Sequence, residues 1–111
     1  MNIKDIASDY SVSAQIQASD IAELKAAGFK SVICNRPDNE DPGQPSVEEI
    51  RSAAEAAGLE FRHVPVISGQ MTAENVQEQA QAFEALPKPV FAYCRSGTRS
   101  ANLYNYMQGM K

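Results

Sequence analysis

The chain has 111 residues, 43% of them hydrophobic and 22% charged, with a formal net charge of −4. That length supports one hydrophobic core and not two, so residues 1–111 are read as a single domain. The acidic balance excludes a general nucleic-acid or anionic-membrane surface, and no apolar run is long enough to span a bilayer.

Tyr10, Val12 and Ala14 alternate with Ser11, Ser13 and Gln15, which predicts a short half-buried strand. Ser19 or Asp20 is placed to cap a helix covering Ile21, Leu24 and Lys25, with Gly28 at its stop. Residues 30–34 read as a buried strand, and 35–45 as a long loop rich in Pro, Asp, Asn and Gly. Ser46-Val47-Glu48-Glu49 fits a capping box that opens an alanine-rich helix to Ala57, ended by Gly58. Residues 59–66 are the next strand and 67–71 a loop. Thr72 caps a helix over 73–86, with Val76, Ala80 and Phe83 on one side and the Glu and Gln residues from Glu74 to Gln81 on a solvated face. Pro87-Lys88-Pro89 ends that helix. A strand to Ala92 and a helix after Arg99 complete the chain.

Strands alternating with helices predict an α/β fold with a small, mainly parallel sheet flanked by helices. In such sheets sites gather at the carboxyl ends of strands, which singles out the loops after Cys34 and Tyr93. The second loop, Cys94-Arg95-Ser96-Gly97-Thr98-Arg99-Ser100, runs from the end of a buried strand into a helix N-terminus. Amides there have no intrahelical partner, and the helix dipole adds partial positive charge. A thiol in that field, flanked by two arginines, is expected to ionise below the ordinary value of about 8.5 and to act as a nucleophile. Cys94 and Arg99 are therefore the candidate catalytic pair. Arg95, Ser96, Gly97, Thr98 and Ser100 are candidates to bind the substrate, with Arg95 at the mouth and Ser100 donating to the Cys94 sulfur.

Arg36 and Asp38 in the other loop either contact substrate, brace the Cys94 loop, or form a turn closed by the aspartate. Cys34, inside an apolar strand, reads as core, and His63 as a structural histidine. Tyr104 and Tyr106 read as packing residues, with Tyr104 the one near a pocket mouth. One His and two separated Cys give no metal-ligand spacing, so neither metal nor cofactor is expected. The first residues lack the layout of a secretory signal, and two cysteines give no disulfide framework, so a cytoplasmic setting is expected.

Val12-Ser13-Ala14-Gln15, Gly28-Phe29-Lys30-Ser31-Val32-Ile33, Asn35-Arg36-Pro37-Asp38, Gly43-Gln44-Pro45-Ser46 and the loop from Cys94 to Ser100 together resemble the phosphatase-like domain of the beta-lactamase hydrolase-like family. The resemblance implies a cysteine-phosphatase-like fold of dual-specificity type. It also implies a sulfurtransferase label and pairing with a persulfide dioxygenase of the metallo-hydrolase fold. Cysteine phosphatases of this type carry Cys, five residues, then Arg, usually with His before the Cys. Here four residues separate Cys94 from Arg99 and Tyr93 replaces the His, a spacing similar to the rhodanese active loop.

At no more than about 3.6 Å of contour per residue, losing one residue shrinks a ring-like cradle by roughly half an ångström in radius. The loop at residues 65–71, where the phosphatase general acid would sit, holds no carboxylate, leaving Asp38, Glu40 or Asp41 to substitute. These departures lead to the expectation of a sulfurtransferase working through a Cys94 persulfide on a small anionic or persulfide substrate. Phosphomonoester hydrolysis through phosphocysteine and a non-catalytic anion- or partner-binding module are the alternatives.

Overall fold

The structure, a computed structural model, describes residues 1–110. Five strands, β1 (Lys4–Ala7), β2 (Tyr10–Ser13), β3 (Ser31–Cys34), β4 (Glu60–His63) and β5 (Val90–Tyr93), form one sheet in the order β1-β2-β5-β3-β4. The last four are mutually parallel, and β1 is an antiparallel edge strand. The helices are α1 (Ile21–Ala26), α2 (Val47–Ala56), α3 (Ala73–Ala85) and α4 (Thr98–Gly109).

Alternation along the strands assigns each side chain to a face. Val32 and Cys34 of β3, with Phe91 and Tyr93 of β5, pack under α1 and α2 against Ile21, Leu24, Ile50 and Ala54. Ile33, Val90 and Ala92 point the other way, joining Tyr10, Val12, Ala82 and Leu86 beneath α3 and α4. Such two-sided burial is why β3 and β5 are apolar throughout. The register pairs Tyr93 with both Ser13 and Cys34, and Cys34 with His63, so these four parallel strands end together.

Four details depart from the sequence expectations. β1 was not anticipated: Lys4-Asp5-Ile6-Ala7 has no period-two pattern, because a charged edge strand buries little. Its Asp5 carboxylate accepts a hydrogen bond from the Ser11 hydroxyl at 2.8 Å. The predicted strand over 59–66 stops at His63, since Pro65 has no N–H for the ladder, although the Val64 and Val66 amides still reach the carbonyls of Cys34 and Asn35. Asp20 precedes α1, but its carboxylate turns back to accept from the Gln17 amide at 2.8 Å rather than capping the helix, and Ser19 makes no cap either. Gln79, expected on a solvated face, is fully buried. Ser46 and Thr72 do cap α2 and α3, accepting from the amides of Glu49 and Asn75 at 3.1 Å.

Candidate active site

Cys94 follows the last residue of central strand β5 and is fully buried. Its amide reaches the Ser13 carbonyl at 3.4 Å, and the Gly97 amide donates to its sulfur at 3.0 Å. Gly97 is the residue before α4, with φ of +91°, and a Cβ built on it would stand 3.3 Å from the Ser13 carbonyl carbon. Glycine is therefore required twice over, by the left-handed backbone and by the close approach to β2. Together these contacts hold a sulfur against the start of a helix, where unpaired amides favour negative charge.

Arg99, one residue into α4 and almost wholly buried, spreads its guanidinium across the carboxylate of Glu40, with Nη1 to Oε2 and Nη2 to Oε1 both at 2.8 Å. Nη1 also donates to the Val66 carbonyl at 2.7 Å. The bidentate pair holds the Glu40 carboxyl below the usual carboxylate range, with Arg99 the leading cause and Arg36 contributing. It pushes Arg99 further above its own ordinary value, and the nearby Cys94 sulfur adds to that push.

The loop of residues 35–45 supplies Glu40 and is itself a built platform. Arg36 is buried and donates to Glu40 at 2.8 Å, to Asp41 at 2.6 Å and to the Gln15 side-chain carbonyl at 3.0 Å. Asp41 also pairs with Arg95 at 3.1 Å, tying the platform to the mouth of the Cys94 loop. Gln44 clasps the turn, accepting from the amides of Glu40 and Asp41 and donating to the Pro37 carbonyl. Three guanidiniums thus meet two carboxylates around one thiol.

Several candidate roles resolve differently from the sequence reading. Ser100 does not reach the Cys94 sulfur: its hydroxyl donates to Asn35 Oδ1 at 2.9 Å, because α4 turns it inward. Arg36 braces the platform, and Asp38 accepts the Val47 amide at 2.8 Å, fixing the start of α2. All three carboxylates are engaged: Asp38 accepts from the Val47 amide, Glu40 is paired with Arg36 and Arg99, and Asp41 with Arg36 and Arg95. Arg95 is exposed at the mouth as expected, while the Ser96 hydroxyl donates to the Thr98 hydroxyl and accepts from the Thr98 amide. Tyr104 stacks on Tyr10 at 4.7 Å, so it is Tyr106 and not Tyr104 that lines the open cleft beside the loop.

Cys34 is buried in the core, and burial pushes its thiol pKa up. Its sulfur and the His63 ring both bond the Arg36 carbonyl, at 3.3 and 3.0 Å, which gives both residues structural work. Among the described residues no group of three or more His, Cys, Asp or Glu side chains is placed to hold a metal ion. No described helix is long and apolar enough to cross a membrane.

Behind the site lies a buried polar network absent from the sequence reading. Gln79 of α3 donates to Tyr10 Oη at 3.0 Å and exchanges hydrogen bonds with the Asn35 amide at 2.8 and 3.3 Å. Tyr10 in turn donates to the Ser100 carbonyl at 2.9 Å. Asn35 and Ser100 are thus coupled through side chains that no local motif connects.

Known proteins resemble this chain to different degrees. A beta-lactamase hydrolase-like protein of Agrobacterium fabrum is 40% identical over 93 residues, covering 84% of this chain and 22% of its own length. Its counterpart in Xylella fastidiosa is 35% identical over 104 residues, covering 94% of this chain and 24% of its own. The chain therefore spans about a quarter of the length of these curated relatives.

Among solved structures, a candidate phosphatase of Neisseria meningitidis (nma1982) superposes with a TM-score of 0.90 at 33% identity, over 97% of this chain and 77% of its own. The core catalytic domain of the S. cerevisiae PP-IP phosphatase Siw14 reaches a TM-score of 0.71 at 13% identity, over 98% of this chain and 65% of its own, a likeness of fold alone. The cysteine-phosphatase-like fold is thereby established. The sulfurtransferase expectation gains nothing from these comparisons, and the name of the Neisseria protein favours the phosphatase alternative. The family described as beta-lactamase hydrolase-like protein, phosphatase-like domain, matches residues 2–110, and the chain belongs to it.

Proposed function

We propose that this domain is a Cys94-dependent hydrolase of the cysteine-phosphatase type, restricted to substrates whose leaving group departs without a proton. The thiolate attacks the phosphorus of an activated phosphomonoester. The S–P bond forms, the P–O bond breaks, and an aryloxide-like group leaves with its electron pair. Water then attacks phosphorus, releasing phosphate and regenerating the thiolate, while the water proton passes to solvent. Amides of the Cys94 loop, and the Arg99 donors not taken up by Glu40 and Val66, meet the charge developing on the equatorial oxygens.

The observation carrying this reading is the engagement of every nearby carboxylate: Glu40 on Arg99, Asp41 on Arg36 and Arg95, Asp38 on the Val47 amide. A general acid is worth about 10²–10⁴ in rate, so poor leaving groups are disfavoured by that factor. The likeness to the Neisseria candidate phosphatase supports phosphorus as the centre attacked.

A second reading is favoured by the four-residue spacing between Cys94 and Arg99. Sulfane sulfur is one atom and fits a smaller ring than a phosphoryl group. In that chemistry the thiolate attacks the terminal sulfur of an organic thiosulfonate, a new S–S bond forms, the old one breaks and a sulfinate leaves. It too needs no acid. This chain spans about a quarter of its curated relatives, and under this second reading the proposed sulfur partner is a persulfide dioxygenase of the metallo-hydrolase fold.

Mass analysis of the Cys94 peptide decides between them. After acid quench from an aryl phosphate, a phosphoryl adduct is expected in the parent and absent in Cys94→Ser. A sulfur adduct from a thiosulfonate with no phosphoryl adduct would install the second reading, and neither adduct would overturn both.

A further inference from the structure

The sheet ends on β1 at one side and on β4 at the other, and the two edges differ. Edge strand β1 carries a break in register between Asp5 and Ala7, one of the devices that keep an open edge from pairing. β4 pairs with β3 in unbroken register, holds no proline, and has no described strand beyond it. Its Glu60 and Arg62 are exposed, while Phe61 is buried in the core that includes Ile50 and Ala54 of α2.

Main-chain directions on β4 follow from its bonds to β3. The Glu60 and Val64 amides donate to the carbonyls of Lys30 and Cys34 at 3.2 and 2.9 Å. By alternation, the main-chain groups of Glu60, Arg62 and Val64 face inward and those of Phe61 and His63 face outward. The Phe61 carbonyl, turned away from the sheet, accepts a hydrogen bond from the Arg62 guanidinium at 3.1 Å. On the α2 side of the edge, Arg51 lies over the Phe61 ring at 5.3 Å and is paired with Glu48 at 2.8 Å.

We propose that β4 is the contact surface for a second copy of this chain, the two strands pairing antiparallel about a two-fold axis at Phe61. Charge selects that register. An axis at Glu60 or at Arg62 sets like charges directly opposite each other, which is destabilising. An axis at His63 sets Phe61 against Pro65, which has no N–H to give. At Phe61, each Glu60 instead faces Arg62 of the partner subunit, in the non-hydrogen-bonded pairs where side chains stand closest. Phe61 exchanges both main-chain bonds with its counterpart, and the Arg62 guanidinium passes from its own Phe61 carbonyl to the facing carboxylate. The contact is self-complementary, as a two-fold dimer requires, and it does not depend on the reaction at Cys94.

Sedimentation equilibrium of the whole chain over a rising concentration series is expected to show a monomer–dimer equilibrium. Glu60→Arg and Arg62→Glu, both at exposed positions, each set like charges across the axis and should weaken association about tenfold or more. An equimolar mixture of the two variants restores opposite charges at both contacts and should return association to the parent strength. A parent that stays monomeric throughout, association unchanged or strengthened in either variant, or a mixture no tighter than its components would overturn the inference. Strengthening by Arg62→Glu in particular would make Arg62 the guard of a solitary edge.

Discussion

The two loops that build the site, residues 94–97 after β5 and residues 35–46 after β3, start at the same level of the sheet and work by different physics. The first is short and organised by backbone: a strand end, a left-handed glycine and a helix start place the Gly97 amide on the Cys94 sulfur. The second is long and organised by side chains, with Arg36, Glu40, Asp41 and Gln44 closing on one another before any of them touches the first loop. The proposed nucleophile and its cradle belong to the short loop. The long loop decides how Arg99 is held and which carboxylates remain available. The lesson is that reactivity can be local while selectivity is a property of the pairing.

The comparison breaks most completely at the short loop. Cys94→Ser should abolish turnover and adduct formation with the fold intact, since it changes one buried atom at the nucleophile; circular dichroism and an aryl phosphate assay check both halves. Arg99→Lys should cost roughly 10²-fold in kcat/KM, because a point charge cannot span Glu40 and face the cradle at once. A kinetic titration matching the parent would make Arg99 a brace alone.

At the long loop the effects are smaller and carry a pH signature. Glu40→Gln keeps the shape but loses the charge, and about a tenfold fall in kcat/KM is expected as Arg99 loses its orienting partner. Because the folded-state pKa of Glu40 is depressed, its stabilisation is present above the ordinary carboxyl value of about 4.3 and is lost as pH falls through the lower folded value. Urea midpoints should therefore fall from about pH 4.5 downward in the parent, and less steeply in Glu40→Gln. Parallel curves would remove Glu40 from the account of acid stability.

The smallest catalytic effect is expected behind both loops. Gln79→Leu leaves Asn35 and Tyr10 short of partners, which should cost about 1–3 kcal/mol in denaturant stability. Activity should change only a few-fold, because the reacting atoms keep their own contacts.

What could be read from the sequence follows the same division. The Cys94 loop was legible because strand, cysteine, glycine and arginine are contiguous and each acts on its neighbours. Inner strands were legible because two-sided burial makes them apolar. Edge strand β1 was not, since its Lys4 and Asp5 serve the edge rather than the core. Glu40 was visible only as a possible acid: its contact with Arg99 spans 59 positions, and nothing in a single sequence marks which carboxylate will meet which arginine. Gln79 was misread because glutamines on a helix are usually solvated, and only the fold reveals that Asn35 and Tyr10 wait beneath it. Ser100 was assigned to the sulfur by proximity in sequence, whereas the turn of α4 points it at Asn35.

The most direct test of the central claim, that Cys94 acts without a general acid, is the dependence of kcat/KM on leaving-group pKa across a series of aryl phosphates. The account predicts a steep fall as the leaving group becomes more basic, since charge develops on an oxygen that receives no proton. A flat dependence across the series would mean that a proton is being delivered, and would contradict the assignment of Asp38, Glu40 and Asp41 to structural bonds.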